Sequence, residues 1–98
     1  MKTVYKFQAM PYQTVLMVPY GEVLTTGLQN GLFTAWVLVE TNPHAAASSA
    51  VAKPLNNKTM IVEFAGTGHP LPAHLTKEHY VNTFFEGEFV FHAFAWEG

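Results

Sequence analysis

Residues 22–40, E-V-L-T-T-G-L-Q-N-G-L-F-T-A-W-V-L-V-E, decide the fold that the sequence predicts. Asn30-Gly31 at the centre is the preferred two-residue type I′ turn, because both of its positions need positive φ. The β-branched and other apolar residues on either side have the composition of strands. We therefore expect an antiparallel hairpin with strands at 22–29 and 32–40, in a register that the turn fixes.

The two faces of this hairpin are predicted to have different surroundings. The face expected to lie in the core consists of Glu22, Leu24, Thr26, Leu28, Phe33, Ala35, Val37 and Val39. The other face places Trp36 beside Thr25 and Gly27, with room around the indole ring. This tryptophan belongs either to a small satellite core or to an aromatic platform for a ring-bearing ligand or another subunit.

Further segments with strand character are bounded by proline, glycine and asparagine. They are residues 3–8, 13–18, 59–65, 80–86 and 88–96, of which the last two form a second hairpin. The last strand is apolar on both faces, which is typical of a central strand or of one covered by a second subunit.

Two segments lack strand character. The Ala/Ser-rich segment at 41–58 is either a loop, which we favour, or one short, weak helix over about 44–52, and residues 73–79 hold at most one helical turn. We therefore predict a single all-β domain over residues 1–98, an antiparallel meander of six to seven strands that forms a small curved sheet or barrel.

The composition favours self-association and argues against extended nucleic acid as a partner. Hydrophobic residues make up 49% of the chain and charged residues only 12%, which is roughly half the usual charged share. This surplus of apolar side chains predicts a homo-oligomer. A net charge of −2, with five lysines and no arginine, lacks the basic face that nucleic-acid binding needs.

Several classes of chemistry are excluded by missing residue types. The chain has no cysteine and no aspartate, so disulfides, zinc fingers and a Ser-His-Asp triad are absent. The five histidines do not share one helical face, and we expect neither a metal nor another cofactor. Glu63 points outward on its strand and is expected to be solvated. No signal peptide and no apolar run of membrane length is present, so we expect a cytoplasmic protein without membrane contact.

A loop of unusual composition, F-A-G-T-G-H-P-L-P at residues 64–72, follows the predicted strand at 59–65. Its glycines allow positive φ and can aim consecutive N–H groups at an anion. Thr67 adds a hydroxyl, and His69 adds a ring that titrates near neutral pH. The loop is either a rigid exit from the strand or a ligand-binding loop, and it lacks the patterns of a P-loop or a dinucleotide-binding turn.

The candidate ligand site combines this loop with side chains from other strands. His92 is either a core histidine with one hydrogen bond or a member of the same pocket as His69, if the last strand pairs beside the strand ending at Gly66. Trp36 or Trp96 would supply a surface for stacking on a ring. The predicted ligand-binding residues are Gly66, Thr67, Gly68, His69, Trp36, His92 and Trp96.

Much of the chain resembles a family of small phage and prophage proteins known only as a domain of unknown function. The matching segments are M-K-T-V-Y-K-F at 1–7, W-V-L-V-E at 36–40, G-T-G-H-P-L-P at 66–72, V-N-T-F at 81–84 and F-V-F-H-A-F at 89–94. The chain departs from the family's pattern in the Ala/Ser-rich residues 43–52 and at residues 86–88. The resemblance implies a phage accessory protein without specifying its chemistry, and some small oligomeric proteins of that kind sequester nucleotide-derived immune signals.

Three functions are compatible with these features. The first is a non-enzymatic binder that sequesters a small anionic, nucleotide-derived ligand. The second is a protein–protein interaction module that inhibits a host factor or joins a phage assembly. The third is a phosphoester hydrolase that uses His69 and His92. The absence of arginine, of aspartate and of a recognisable nucleophile arrangement favours the first two, so an enzyme is not the leading expectation.

Overall fold

The computed structural model describes residues 1–41 and 57–98, which contain seven β-strands and a three-residue 3-10 turn at Lys77–His79. The strands are β1 (Lys2–Gln8), β2 (Val15–Pro19), β3 (Glu22–Gln29), β4 (Leu32–Glu40), β5 (Thr59–Gly66), β6 (Tyr80–Glu86) and β7 (Phe89–Glu97). The prediction of a mostly β, antiparallel fold with six to seven strands is confirmed. Most of the predicted loop at 41–58 lies outside the described residues.

The strands form two antiparallel sheets that face each other and do not close into a barrel. One sheet has the order β1-β4-β3, and the other has the order β2-β5-β7-β6. We call them the three-stranded and the four-stranded sheet. Strands that are consecutive in the chain are neighbours only in the β3–β4 and β6–β7 hairpins, so the meander is limited to these two units. The central position of β7 explains why both of its faces are apolar.

The core lies between the inner faces of the two sheets. Val37 and Val39 of β4 and Val62 of β5 are at most 1% exposed. Near one end of the sandwich, the ring of Phe33 stacks on that of Phe64 with centroids 4.7 Å apart. The strands therefore bury alternate side chains, as expected for a two-layer β-protein.

The β3–β4 hairpin keeps the predicted register only as far as Thr25. Asn30 and Gly31 have φ values of 54° and 77°, and the pairs from Gln29–Leu32 to Thr25–Trp36 form as expected. A bulge then inserts Leu24, so that Val23 instead of Leu24 pairs with Val37. The prediction that Leu24 lies in the core is therefore wrong, since this side chain is 46% exposed.

A single asparagine side chain joins the edges of the two sheets. β6 carries its own register shift between Tyr80 and Asn82, and the Asn82 side chain reaches the backbone of Thr26 in β3. Its Oδ1 accepts from the Thr26 N–H at 3.1 Å and from the Thr26 hydroxyl at 2.6 Å. Its Nδ2 donates to the Thr26 carbonyl at 3.0 Å. The amide thus replaces, at one position, the ladder that would otherwise join β3 to β6.

Large apolar side chains remain on the outer face of the four-stranded sheet. Met17 of β2 is 69% exposed and Phe85 of β6 is 71% exposed. Met17 lies between the core residues Leu16 and Val18, and Phe85 follows Phe84, which packs against the core, so both side chains point away from it. Within residues 1–41 and 57–98, no helix has the length and apolar character that a membrane crossing requires.

Candidate ligand site at the end of the sandwich

The loop after β5 is a tight turn held by its own backbone. The N–H of His69 donates to the Gly66 carbonyl at 3.0 Å, and the N–H of Thr67 donates to the Val90 carbonyl at 3.1 Å. Gly68, at the third position of the turn, has φ of +88°, which is the conformation that a type II turn requires there. In the described part of the chain, Gly68 is therefore the residue of this turn whose N–H has no backbone acceptor. The row of free N–H donors that the sequence suggested is not formed.

Gly66 is required because the imidazole of His69 lies against its Cα. A Cβ at position 66 would be 3.1 Å from Nδ1 and 3.2 Å from Cε1 of His69. Contacts this short are tighter than ordinary van der Waals packing and would displace the ring. The glycine thus allows the histidine to fold back onto the end of β5.

His69 lines a cleft of about 370 Å³ at this end of the sandwich. The aromatic part of the wall comes from three strands and consists of Phe33, Phe64 and Phe91, and the loop adds Pro70 and Leu71. Thr14, just before β2, adds a hydroxyl, and Glu63 of β5 also borders the cleft, although its side chain points to the face of the sheet opposite to that of Phe64. The volume is within the range of about 300–1,000 Å³ that is typical of small-molecule sites. The cleft thus has an aromatic wall and polar groups of both hydrogen-bonding types.

Glu63 points outward on its strand as predicted, but it is less solvated than the sequence suggests. Its side chain is only partly exposed, and its Oε2 atom is buried without a hydrogen-bond partner. The expectation of a solvated carboxylate is therefore wrong for this oxygen. A buried carboxylate oxygen without a donor loses hydration and gains nothing in return, which is unfavourable.

His92, on β7, holds the loop through a hydrogen bond to Thr67. Its Nε2 lies 2.7 Å from the Thr67 hydroxyl and its Nδ1 lies 2.9 Å from the Thr83 hydroxyl. The Thr83 hydroxyl is in turn 2.6 Å from that of Tyr80. β7 pairs beside β5 as required, with His92 opposite Ala65. Both ring nitrogens are nevertheless occupied by threonines, and His92 is not part of the cleft wall.

The two tryptophans lie away from the cleft. Trp36 is on the outer face of the three-stranded sheet, opposite Lys6 and Thr25 and beside Gly27. Trp96 is on the outer face of the other sheet, where its ring meets that of His74 edge to face at 5.1 Å. Neither indole lines the cleft, so stacking there would fall to the phenylalanines.

The structure therefore brings together some of the predicted site residues and adds others. Gly66 and His69 line the main cleft, and both also line, with Thr67, a second one of about 240 Å³ beside β7. Phe64 could have been found in the sequence because it directly precedes the loop. Phe91 could have been found by pairing the last strand beside the strand that ends at Gly66, since the two residues are then opposite each other. Phe33 and Thr14 could not, since they come from distant segments.

A metal ion is not suggested by the side chains at this site. Among residues 1–41 and 57–98, no group of three or more histidine and glutamate side chains is placed to hold one. His69 is the one histidine in the wall of the main cleft. The site can therefore offer an aromatic surface, an imidazole and a hydroxyl to an organic ligand.

Comparisons with known proteins identify a family but no characterised relative. No curated protein and no solved structure matches the chain. One family model, described as a domain of unknown function (DUF7352), matches residues 1–98. The predicted resemblance to a family of unknown function is confirmed at that level, and the phage origin stays a prediction. Because the match spans residues 1–98, the chain belongs to the family of the domain of unknown function DUF7352.

Proposed function

We propose that this protein binds a small, nucleotide-derived ligand in the cleft lined by His69 and sequesters it without chemical change. The observation that carries the proposal is the combination of an aromatic wall with polar groups in a cleft of about 370 Å³. Flat rings pack well on phenylalanine side chains, while the polar groups fix their orientation. A nucleobase has both the ring and the hydrogen-bonding edge that such a cleft suits.

The anionic part of such a ligand would lie at the loop. The N–H of Gly68 is not used by the turn, although Gly68 itself lines neither cleft, and the imidazole of His69 adds a ring nitrogen that can donate. Thr67 is less suitable because its hydroxyl already contacts His92. With no arginine in the chain, recognition of the anion would rest on these few neutral or titratable groups.

Sequestration is favoured over hydrolysis by the position of the second histidine. A hydrolase that uses His69 and His92 needs a free ring nitrogen on each, and both nitrogens of His92 contact threonine hydroxyls. The resemblance to small phage proteins supports an accessory role in which a host immune signal is bound and withheld. We infer this setting from that likeness alone.

The first test is to measure binding of nucleotides by calorimetry, together with native mass spectrometry of the gently purified protein. We expect His69→Ala to weaken binding at least about tenfold, because hydrogen bonds to a ligand in a desolvated cleft are worth on the order of 1–3 kcal/mol. His74→Ala is the matched control, since that ring packs on Trp96 outside the cleft. Unchanged affinity in His69→Ala would remove the loop from the proposal.

A second function, binding of a protein partner, is favoured by the apolar outer face of the four-stranded sheet. Met17 pairs with Ile61, which pairs with Trp96, so three large apolar residues form a row across this face. Such a row is typical of a contact with another chain, either a second copy or a host protein. Recovery of a specific complex from host lysate, together with no nucleotide binding by the same preparation, would favour this function over the first.

A further inference from the structure

We propose that Thr67 is the nucleophile of a separate site on the outer face of the four-stranded sheet, where it accepts acyl groups from carboxylic esters with His92 as its base. The proposal starts from a row of hydrogen bonds that joins these two side chains to Thr83 and Tyr80. It goes beyond the proposed binding function and does not depend on it, because His92 is not part of the main cleft's wall.

Thr67 and His92 make the contact that a hydroxyl nucleophile and its base require. The Thr67 hydroxyl oxygen lies 2.7 Å from Nε2 of His92, and a base can take a proton over about 2.6–3.2 Å. The other ring nitrogen, Nδ1, lies 2.9 Å from the Thr83 hydroxyl, which is 2.6 Å from that of Tyr80. When Nδ1 carries the hydrogen and donates to Thr83, Nε2 is left to accept from Thr67. The two hydroxyls thus orient the imidazole, which is the role of the carboxylate in a Ser-His-Asp triad.

Thr67 is exposed, and a backbone donor follows it directly. The N–H of Gly68, the next residue, has no backbone acceptor in the described part of the chain. In many acyl-transferring enzymes, the N–H that follows the nucleophile belongs to the oxyanion hole. A carboxylic ester develops one negative oxygen in its tetrahedral intermediate, whereas a phosphoester carries charge on several, and the chain has no arginine to neutralise them. The substrate class is therefore a carboxylic ester.

The strands place an apolar surface beside the nucleophile. His92 and Thr83 are paired across β7 and β6, and the hydrogen bond between them shows that both side chains lie on the same face. Because side chains alternate along a strand, the next pair on that face is Phe85 and Val90. Val90 is adjacent to Thr67, whose N–H donates to its carbonyl, and Phe85 is 71% exposed. An ester with an apolar acyl or aryl group suits this surface.

The reaction takes two steps. In the first, the Thr67 oxygen forms a bond to the ester carbonyl carbon while its proton passes to Nε2 of His92. The bond from that carbon to the leaving alcohol then breaks, and the alcohol takes the proton from His92. In the second step, water attacks the acylated Thr67 with His92 again as base, so that the carboxylic acid is released and the Thr67 hydroxyl recovers its proton.

The test uses p-nitrophenyl dimethylcarbamate, whose carbamoyl group stays on the nucleophile, and p-nitrophenyl acetate, which turns over. We expect mass spectrometry of the digested wild-type chain to find the carbamoyl group on Thr67. Thr67→Val and His92→Gln should each reduce acetate turnover at least about tenfold, because general-base catalysis contributes roughly 10²–10⁴-fold. Thr67→Ser keeps the hydroxyl and should keep the turnover. His74→Ala is the control for reaction at a surface imidazole, since its ring packs on Trp96, and it should leave turnover unchanged.

Two results would overturn the inference. One is a carbamoyl group found only on lysines, on the amino terminus or on other histidines, with none on Thr67. The other is acetate turnover that Thr67→Val leaves at the wild-type rate. The label on the wild-type chain decides the question alone if the variants do not fold. Neither result affects the proposed nucleotide site, which calorimetry tests separately.

Discussion

At the scale of single residues, two strand glycines that each lie beside a ring have different roles. Gly66 and Gly27 both lie in strands, next to an aromatic or imidazole ring. A Cβ at Gly66 would be 3.1 Å from the His69 ring, whereas a Cβ at Gly27 would meet Trp36 at 3.9 Å. The first distance is tighter than ordinary van der Waals contact, so the His69 ring would have to shift, and the second is ordinary contact. The shape of the cleft therefore depends on the missing side chain at position 66.

Replacing Gly66 by alanine should displace His69 and impair both stability and binding. We expect the free energy of unfolding in urea to fall by about 1–3 kcal/mol, the usual cost of overpacking, and nucleotide affinity to fall with it. Gly27→Ala is the control, and it should leave stability unchanged or raise it by up to about 1 kcal/mol. Equal effects of the two substitutions would show that the contact with His69 is not what makes Gly66 necessary.

At the scale of strands, Asn82 and the two bulges form one unit. The extra residue in β3 lies between Val23 and Thr25, and the shift in β6 lies between Tyr80 and Asn82. Bulges bend strands and re-aim side chains, and here the bend brings the Asn82 amide to the Thr26 backbone. Three hydrogen bonds then cross between the two sheets.

Asn82→Ala should destabilise the protein by separating these two edges. Because Thr26 is only 5% exposed, its N–H and carbonyl would lose their partners without full access to water, at a cost of about 1–3 kcal/mol in unfolding free energy. Asn82→Asp keeps the acceptor but places a negative charge beside the Thr26 carbonyl, so it should also be less stable than the wild type. Urea unfolding of the three chains tests this. Wild-type stability of Asn82→Ala would mean that core packing alone holds the sheets together.

The sequence predicted where the strands lie better than it predicted the bulge in the edge strand β3. The turn at Asn30-Gly31 set the register correctly because its geometry is local. The position of Leu24 was predicted wrongly because the turn fixes the register only near Asn30-Gly31, and the bulge lies further along, between Val23 and Thr25. The site shows the same contrast between local and distant features. The loop at 66–69 was identified from its own residues, whereas Phe33 and Glu63 border the cleft only because of how the strands pack.

At the scale of the molecule, part of the apolar surplus of the composition lies on the outer face of the four-stranded sheet. Met17 and Ile61 are directly opposite each other there, and Met17 is 69% exposed. A second chain that covered this row would remove the exposed apolar area from water, at roughly 25 cal/mol per Å². Homo-oligomer formation through this face is therefore our proposal for the assembly.

Met17→Lys should reduce the mass of the assembly without unfolding the chain. The side chain is on the surface, so we expect little change in the midpoint of thermal unfolding at concentrations where the chain is monomeric. Multi-angle light scattering would then give the monomer mass for the variant and a multiple of it for the wild type. Val4→Lys is the control, because Val4 is 51% exposed on the outer face of the other sheet. A wild-type chain that is monomeric at all concentrations would exclude this assembly.

The strand order also determines how the chain reaches its native state. Only the two hairpins pair residues that are close in sequence, since β1 pairs with β4 and β2 pairs with β5. Tyr5 must find Val37, and Leu16 must find Val62, across intervening chain whose closure costs entropy before any contact forms. We therefore expect the hairpins to form early and the pairing of β1 and β2 to be the slow step. Slow folding of this kind is typical of β-proteins dominated by pairings distant in sequence.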